Sequence, residues 1–179
     1  MKKYVIAHDL GTTGNKTCIF ALDQSLILID SHVAEYPLIT LPNGGAEQKV
    51  DDWWNAICMG TKTLLERQKI SPKEIAGISF STQLQGSIFV DQAGTALRNP
   101  MIWMDSRATA QSDRMIHHGL QVQGYNLKNL LISMKYTGAG AGTAKDPIFK
   151  HMWVRENEPD IYHKAFKWQI GRASCRERV

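Results

Sequence analysis

Apolar positions change their period several times along the chain, and each change marks an element. Residues 4–8 run apolar and stop at Asp9, with Gly11 and Gly14 following as turn residues. A β-prone stretch at 16–22, a tight turn at Asp23-Gln24 and a second apolar stretch at 26–29 predict a hairpin or three-stranded meander. Pro42-Asn43-Gly44-Gly45 predicts a loop. Asp51 then reads as a helix N-cap, with Trp53, Trp54, Ile57, Thr61, Leu64 and Leu65 on one face at helical spacing. Short strands are expected at 75–80 and 87–90, separated by Ser81 to Gly86, and Asp91 to Gly94 makes another turn. Met101-Ile102-Trp103 reads as a brief apolar strand, and Asp105 or Ser106 as the cap of a helix running towards His117. Residues 137–144 form a small-residue loop. Asp146 followed by Pro147 predicts a helix start, with Ile148, Phe149, Met152 and Trp153 as its buried face and a break at Glu158-Pro159. Strands early and helices interspersed later give an α/β class: a mixed sheet with an antiparallel hairpin, flanked by helices.

Length and composition narrow the possibilities. The 179 residues suffice for one domain with a real core and are tight for two. Contents of 43% apolar and 21% charged residues exclude disordered and fibrous classes. No apolar run is long enough to cross a bilayer, so no membrane partner is expected. The opening Met1-Lys2-Lys3 and its short apolar sequel stop at His8, too soon for a secretory core, so a cytoplasmic location is expected. Cys18, Cys58 and Cys175 are far apart and contain no CxxC pair, which suggests neither a disulfide framework nor a zinc site.

The net charge of +4 is uneven, because Arg172, Arg176 and Arg178 against Glu177 place half of it in the last ten residues. Such a tail reads as a nucleic-acid arm on charge alone. Ile170 to Val179, however, back-translates as ATC GGA AGA GCG TCG TGT AGG GAA AGA GTG, which resembles a sequencing-library adapter read in frame. Residues 170–179 are therefore expected to be a non-native tail, residues 1–169 a truncated domain, and nucleic acid no partner.

The segment with most chemistry is His8-Asp9-Leu10-Gly11-Thr12-Thr13-Gly14-Asn15-Lys16. It is no Walker loop, which would need glycine where Asn15 stands. It places an acid at a strand end, then a glycine turn, two hydroxyls and a lysine. An isolated Asp9 would repel a phosphate, whereas a divalent cation between the two makes it useful. Gly11 would let the backbone approach, Thr12 and Thr13 would donate, and Lys16 would add positive charge. The competing reading is a hairpin whose Asp and Thr residues satisfy turn backbone, and composition does not separate the two.

Strand, D-L-G-T-T-G-x-K and second strand resemble the first phosphate loop of the actin-like sugar kinases. Further matches follow in order: Gly45-Ala46-Glu47-Gln48 ahead of Asp51-Asp52-Trp53-Trp54, then Ile78 to Gly86, then Met101 to Arg107 with its W-x-D-x-R pattern, then Met152 to Tyr162 with its Glu-Asn-Glu-Pro break. Over residues 4–169 the chain is identified as a member of the FGGY carbohydrate kinase family, resembling its xylulokinase-like members. The resemblance implies an actin-like, ribonuclease H-like fold, two such domains flanking a cleft, and ATP with Mg2+ as cofactors. Asp9 would face the metal and phosphate, with Gly11, Thr12, Thr13 and Lys16 near the transferred group.

The family's general base would lie beyond Gln169, so the chain by itself should not turn over substrate. Leu84 and Gln85 stand where xylulokinases present Met-His and glycerol kinases Arg-Glu. With Asp105 and Trp103 they are the expected sugar-contacting residues. For Asp105 the alternative is a helix cap; for Trp103 it is a core indole, the favoured reading. The implied partner is a small sugar, D-xylulose first and glycerol as runner-up, with ribulose, fuculose and gluconate open and a homodimer allowed for the full-length enzyme. A non-catalytic actin-like nucleotide- or sugar-binding module is the rival of another class. Trp53 and Trp54 read as packing residues, adjacent His117 and His118 diverge on a helix and make no shared metal site, and the Gly138–Gly142 loop reads as a mobile segment rather than a phosphate cradle.

Overall fold

A computed structural model describes residues 3–23, 25–122, 124–137 and 142–170. In chain order its elements are β1 (Tyr4–Leu10), β2 (Gly14–Leu22), β3 (Leu26–Glu35), β4 (Ile39–Thr40), β5 (Ala46–Glu47), α1 (Val50–Gln68), β6 (Ile75–Thr82), β7 (Ser87–Val90), α2 (Thr109–Ile116), β8 (Gln121–Val122), β9 (Tyr125–Asn126), α3 (Leu127–Thr137), α4 (Pro147–Asn157), α5 (Pro159–Lys164) and β10 (Lys167–Ile170). They form two compact units. Among the described residues, one is built from residues 3–38 with Gln48–Gln83, the other from Ile39–Glu47 with residues 84–170.

The first unit is a four-stranded sheet in the order β3-β2-β1-β6, with β1 to β3 an antiparallel meander and β6 parallel to β1. It is the mixed sheet with an antiparallel hairpin that the hydrophobic pattern predicts. Strand alternation sends Ile6, His8 and Leu10 of β1 and Asn15, Thr17 and Ile19 of β2 to the interior. Helix α1 covers this sheet, burying Ala56, Gly60 and Leu64, which recur every four residues. Ile6, Ile19, Leu64 and Ile70 make one core cluster, and Ala34, Tyr36 and Ala56 with Trp53 a second.

Two expectations for α1 need correction. Lys49 occupies the N-cap without a side-chain bond, while Asp51 and Asp52 fall in the first turn, where negative charge suits the helix dipole. Trp54 is 63% exposed rather than packed. Helix and sheet meet along Ala56, Gly60 and Leu64, a face that leaves the Trp54 indole outside.

In the second unit β4 pairs with β5, β7 pairs with β10, and Met101 bridges Glu47 of β5 to Ser87 of β7. The strand expected at 101–103 thus contracts to one bridging residue. Phe89, Met101 and Val154 form one core cluster, and Ala108, Ile116 and Phe149 another. Helix α2 starts at Thr109 behind Ala108, so neither Asp105 nor Ser106 caps it. Asp146 does hold the N-cap of α4 with Pro147 behind it, but its carboxylate accepts from the amides of Gly142 and Thr143 instead of its own helix. The buried face of α4 is Phe149, Lys150, His151 and Val154, whereas Ile148 is 51% exposed. Residue 24 of the expected tight turn, residues 138–141 of the small-residue loop and residues 171–179 of the expected tail lie outside the described residues. Among the described residues no helix is long and apolar enough to cross a membrane.

Candidate functional site

In the first unit, antiparallel register sets Asp9 opposite Lys16, with His8 opposite Thr17 and Leu10 opposite Asn15. The period of two turns Asp9 and Lys16 to the exposed face while their neighbours on either side are buried. Carbonyls of the turn between them, which would repel an anion, are occupied by donors from the same unit. Leu10 O accepts from Gln83 N at 2.9 Å, Gly11 O from the Tyr36 hydroxyl at 2.6 Å, Thr12 O from Gln48 Nε2 at 2.7 Å and Thr13 O from Tyr36 N at 3.2 Å. Gly11 N donates back across the turn to Gly14 O at 3.0 Å.

The two glycines of the turn differ. A Cβ on Gly14 would sit 2.8 Å from Ala34 O, so β3 requires glycine there. One on Gly11 would meet only Gly14 O at 3.5 Å, so the protein's own packing leaves room beside Gly11.

Two residues missed as individuals hold this turn. Gln48 is fully buried, and its Oε1 accepts from Trp53 Nε1 at 3.1 Å and Gln83 Nε2 at 2.8 Å while its amide holds Thr12. Tyr36 has its phenol pushed up to about 12, by burial first and then by the negative charge of Asp9. Neither residue type announces a partner along the chain, and only burial obliges their polar atoms to find one. On the interior side, Asn15 Nδ2 donates to Thr17 Oγ1 at 3.0 Å and lies 3.2 Å from His8 Nδ1, while His8 stacks on Phe80. Burial pushes the His8 pKa down, opposed by the Asn15 bond. A neutral imidazole accepting at Nδ1 fits these partners.

In the second unit the expected sugar residues cluster around the start of α4. Leu84 and Gln85 are exposed, and Gln85 adopts φ +59, with its Nε2 donating to Asp146 Oδ1 at 3.2 Å. Trp103 is 38% exposed, not the core indole favoured for it, and the Lys145 ammonium lies 5.6 Å from its ring centre. Asp105 is fully buried. Its carboxylate accepts from Ala46 N at 2.9 Å and from the Arg107 side chain at 2.7 Å and 3.0 Å, with Arg107 N at 3.2 Å. Here Asp105 is a clamp with both oxygens engaged, neither a helix cap nor a carboxylate turned towards solvent. Glu47 completes the clamp, accepting from Arg107 at 2.5 Å and from Arg98, while the Arg107 guanidinium stacks 4.5 Å from the Trp153 ring centre.

The described residues contain no group of three or more His, Cys, Asp or Glu side chains able to hold a metal ion. One exposed carboxylate at a turn suits Mg2+, which is commonly held by one or two carboxylates together with substrate phosphates.

Residues 4–173 match the family model described as "FGGY family of carbohydrate kinases, N-terminal domain". The xylulose kinase of Bacillus subtilis (strain 168) is 32% identical over 177 residues, covering 99% of this chain and 33% of that protein. The glycerol kinase of Thermococcus gammatolerans is 29% identical over 95% of this chain and 32% of its own length. Among solved structures, a xylulose kinase from Lactobacillus acidophilus superimposes with a TM-score of 0.75 at 27% identity, covering 93% of this chain and 31% of that one. The fold is thus that of the actin-like sugar kinases, and the chain spans about a third of the length of the curated relatives it matches. On this evidence the chain belongs to the FGGY family of carbohydrate kinases.

Proposed function

We propose that residues 1–169 are the N-terminal part of an ATP-dependent sugar kinase, which transfers the γ-phosphoryl group of ATP to a hydroxyl of a ketopentose, with D-xylulose as the first candidate. The observation that carries the reading is the β1–β2 turn. It presents Asp9 and Lys16 as a cross-strand pair on an exposed face, with space beside Gly11 and its carbonyls occupied elsewhere. Phosphoryl transfer asks the protein chiefly to position reactants and offset charge. Asp9 would hold the Mg2+ of the nucleotide, Lys16 would offset phosphate charge, and Thr12 and Thr13 would donate to phosphate oxygens. Bound Mg2+ supplies Lewis-acid stabilisation of the charge that develops on the transferred group.

Sugar selection falls to the second unit. Gln85 offers an exposed amide and Trp103 a partly exposed ring, the pairing of hydrogen-bonding and flat apolar surface that a sugar needs. Leu84 adds apolar surface, and Asp105 holds the W-x-D-x-R segment in place through Arg107 and Ala46. The proton acceptor for the sugar hydroxyl is assigned to a carboxylate outside the described residues. The enzyme works in the cytoplasm on a free sugar, where Cys18 and Cys58 remain free thiols.

A coupled ADP-release assay on the full-length protein carrying this segment, run against D-xylulose, glycerol, D-ribulose, L-fuculose and D-gluconate, tests the reading. Sugar-stimulated release is expected, strongest with D-xylulose. Glycerol as the best substrate would move the assignment to that branch of the family. Sugar-independent hydrolysis, or binding without turnover, would replace it with an actin-like binding module.

A further inference from the structure

Lys150 is fully buried in α4, outside every residue given a role above. Its ammonium donates to Gln85 O at 2.7 Å and to Ile102 O at 2.7 Å. Those carbonyls belong to the two chain segments that bear Gln85 and, one residue onward, Trp103. Burying a cation is costly unless charge-assisted bonds offset it. The cost shows in the pKa of Lys150, which burial pushes down to about 8 against the opposing pull of the Asp105 and Asp146 carboxylates. An apolar side chain would fill the same volume without that penalty, so the charge serves the two carbonyls.

The backbone of Gln85 supports the same conclusion. A left-handed conformation in a non-glycine residue is strained and persists only where surrounding contacts enforce it. Both enforcing contacts come from the start of α4 and its N-cap. Asp146 takes the Gln85 side-chain amide, and Lys150, four residues on and on the same helix face, takes its carbonyl. The same ammonium then fixes the spacing between that turn and the Trp103 segment.

We propose that Lys150 is a positioning residue for sugar recognition, holding the Leu84–Gln85 turn and the Trp103 segment at the separation a sugar requires. The inference rests on the sugar-kinase reading and adds to it that sugar specificity is governed from α4, by a residue that touches no substrate.

The test compares wild type, K150M and K150R in the full-length protein, varying D-xylulose and ATP separately. K150M is expected to raise the sugar KM about tenfold while the ATP KM stays within about twofold, and to narrow the discrimination between sugars. K150R retains donors and charge and is expected to recover most of the loss. Hydrogen exchange at Gly86 and Trp103, read without turnover, is expected to accelerate in K150M. A merely structural lysine would lower the melting temperature and the active fraction and leave both KM values alone. An unchanged sugar KM in folded K150M, or equal rises in both KM values, overturns the proposal.

Should K150M fail to fold, Asp146→Ala decides. It removes the side-chain half of the clamp, and an unchanged sugar KM there is equally fatal. Wild type without sugar-dependent ADP release on any sugar removes the kinase reading and this inference with it, whereas an active wild type matched by K150M removes the inference alone.

Discussion

Asp9 and Gln48 show how differently two polar side chains serve one turn. Asp9 is exposed, so its loss removes charge chemistry with little effect on packing. In the full-length protein Asp9→Asn is expected to lower kcat by about a hundredfold or more, since metal-mediated charge stabilisation is worth several kcal/mol. Its melting temperature should match wild type, and wild-type turnover in this variant would count directly against Asp9 as the metal-facing acid. Gln48 is the reverse case. Gln48→Leu would strip partners from Thr12 O, Trp53 Nε1 and Gln83 Nε2 at once. With about 1–3 kcal/mol for each buried group left unsatisfied, a large fall in denaturant midpoint is expected before any assay of activity. The strand-end position of Asp9 was legible from the apolar run that stops before a glycine turn. Gln48 was visible only as part of a family segment, because a glutamine amide announces no partner until three distant groups converge on it.

At the scale of elements, close approach decides more than hydrophobicity. A Cβ on Gly60 of α1 would lie 2.1 Å from Thr17 Oγ1, so helix and sheet meet only because that side chain is missing. Gly60→Ala is expected to destabilise by about 1–3 kcal/mol as an overpacked contact. Gly77→Ala in β6, where a Cβ meets nothing within 4 Å, should be neutral or slightly stabilising, and paired urea melts check the contrast. The outer strand β3 presents Leu26, Ile27, Leu28 and Ile29 to solvent along its edge. Unpaired apolar edges template aggregation, so Leu28→Lys is expected to reduce light scattering at high concentration without shifting the melting temperature. Helical spacing located α1 and α4 and placed Trp53, Leu64, Leu65, Phe149, Met152 and Trp153 against the core, but misplaced others. Trp54 and Ile148 are exposed, whereas Lys150 is buried because two backbone carbonyls accept from it, and His151 is buried against the rings of Phe89 and Trp168.

For the molecule as a whole, buried basic side chains with lowered pKa values shape the pH response, His8 in the same direction as the two that shift most. His151 is pushed down to about 4, by burial first and by Lys150 second, against an ordinary value of 6.5. Between those limits the unfolded chain binds a proton that the native state refuses, so stability falls as pH drops through 6.5 towards 4, by up to about 3 kcal/mol from this group. Lys150 has the same sign in another window. From about pH 8 to 10.5 the native state has released a proton that the unfolded chain still holds, so its contribution to stability rises with pH there. Melting temperature measured from pH 4 to 10 is expected to rise up to about 6.5, level off to about 8 and rise again through these two groups. In His151→Phe the acid limb should flatten, and an unchanged limb would exclude His151 as its source.

Local pattern determined the meander, the register that pairs Asp9 with Lys16, the position of Asp146 at a helix start and the ordered motifs of the family. Each depends on neighbours a few residues apart, whose spacing is written along the chain. Tertiary structure alone decided that Asp105 and Arg107 are clamped to Ala46 and Glu47, and that Lys150 joins two loops. Those outcomes depend on which distant carbonyls and carboxylates reach a buried charge first, and desolvation leaves a buried charge no alternative but to find them.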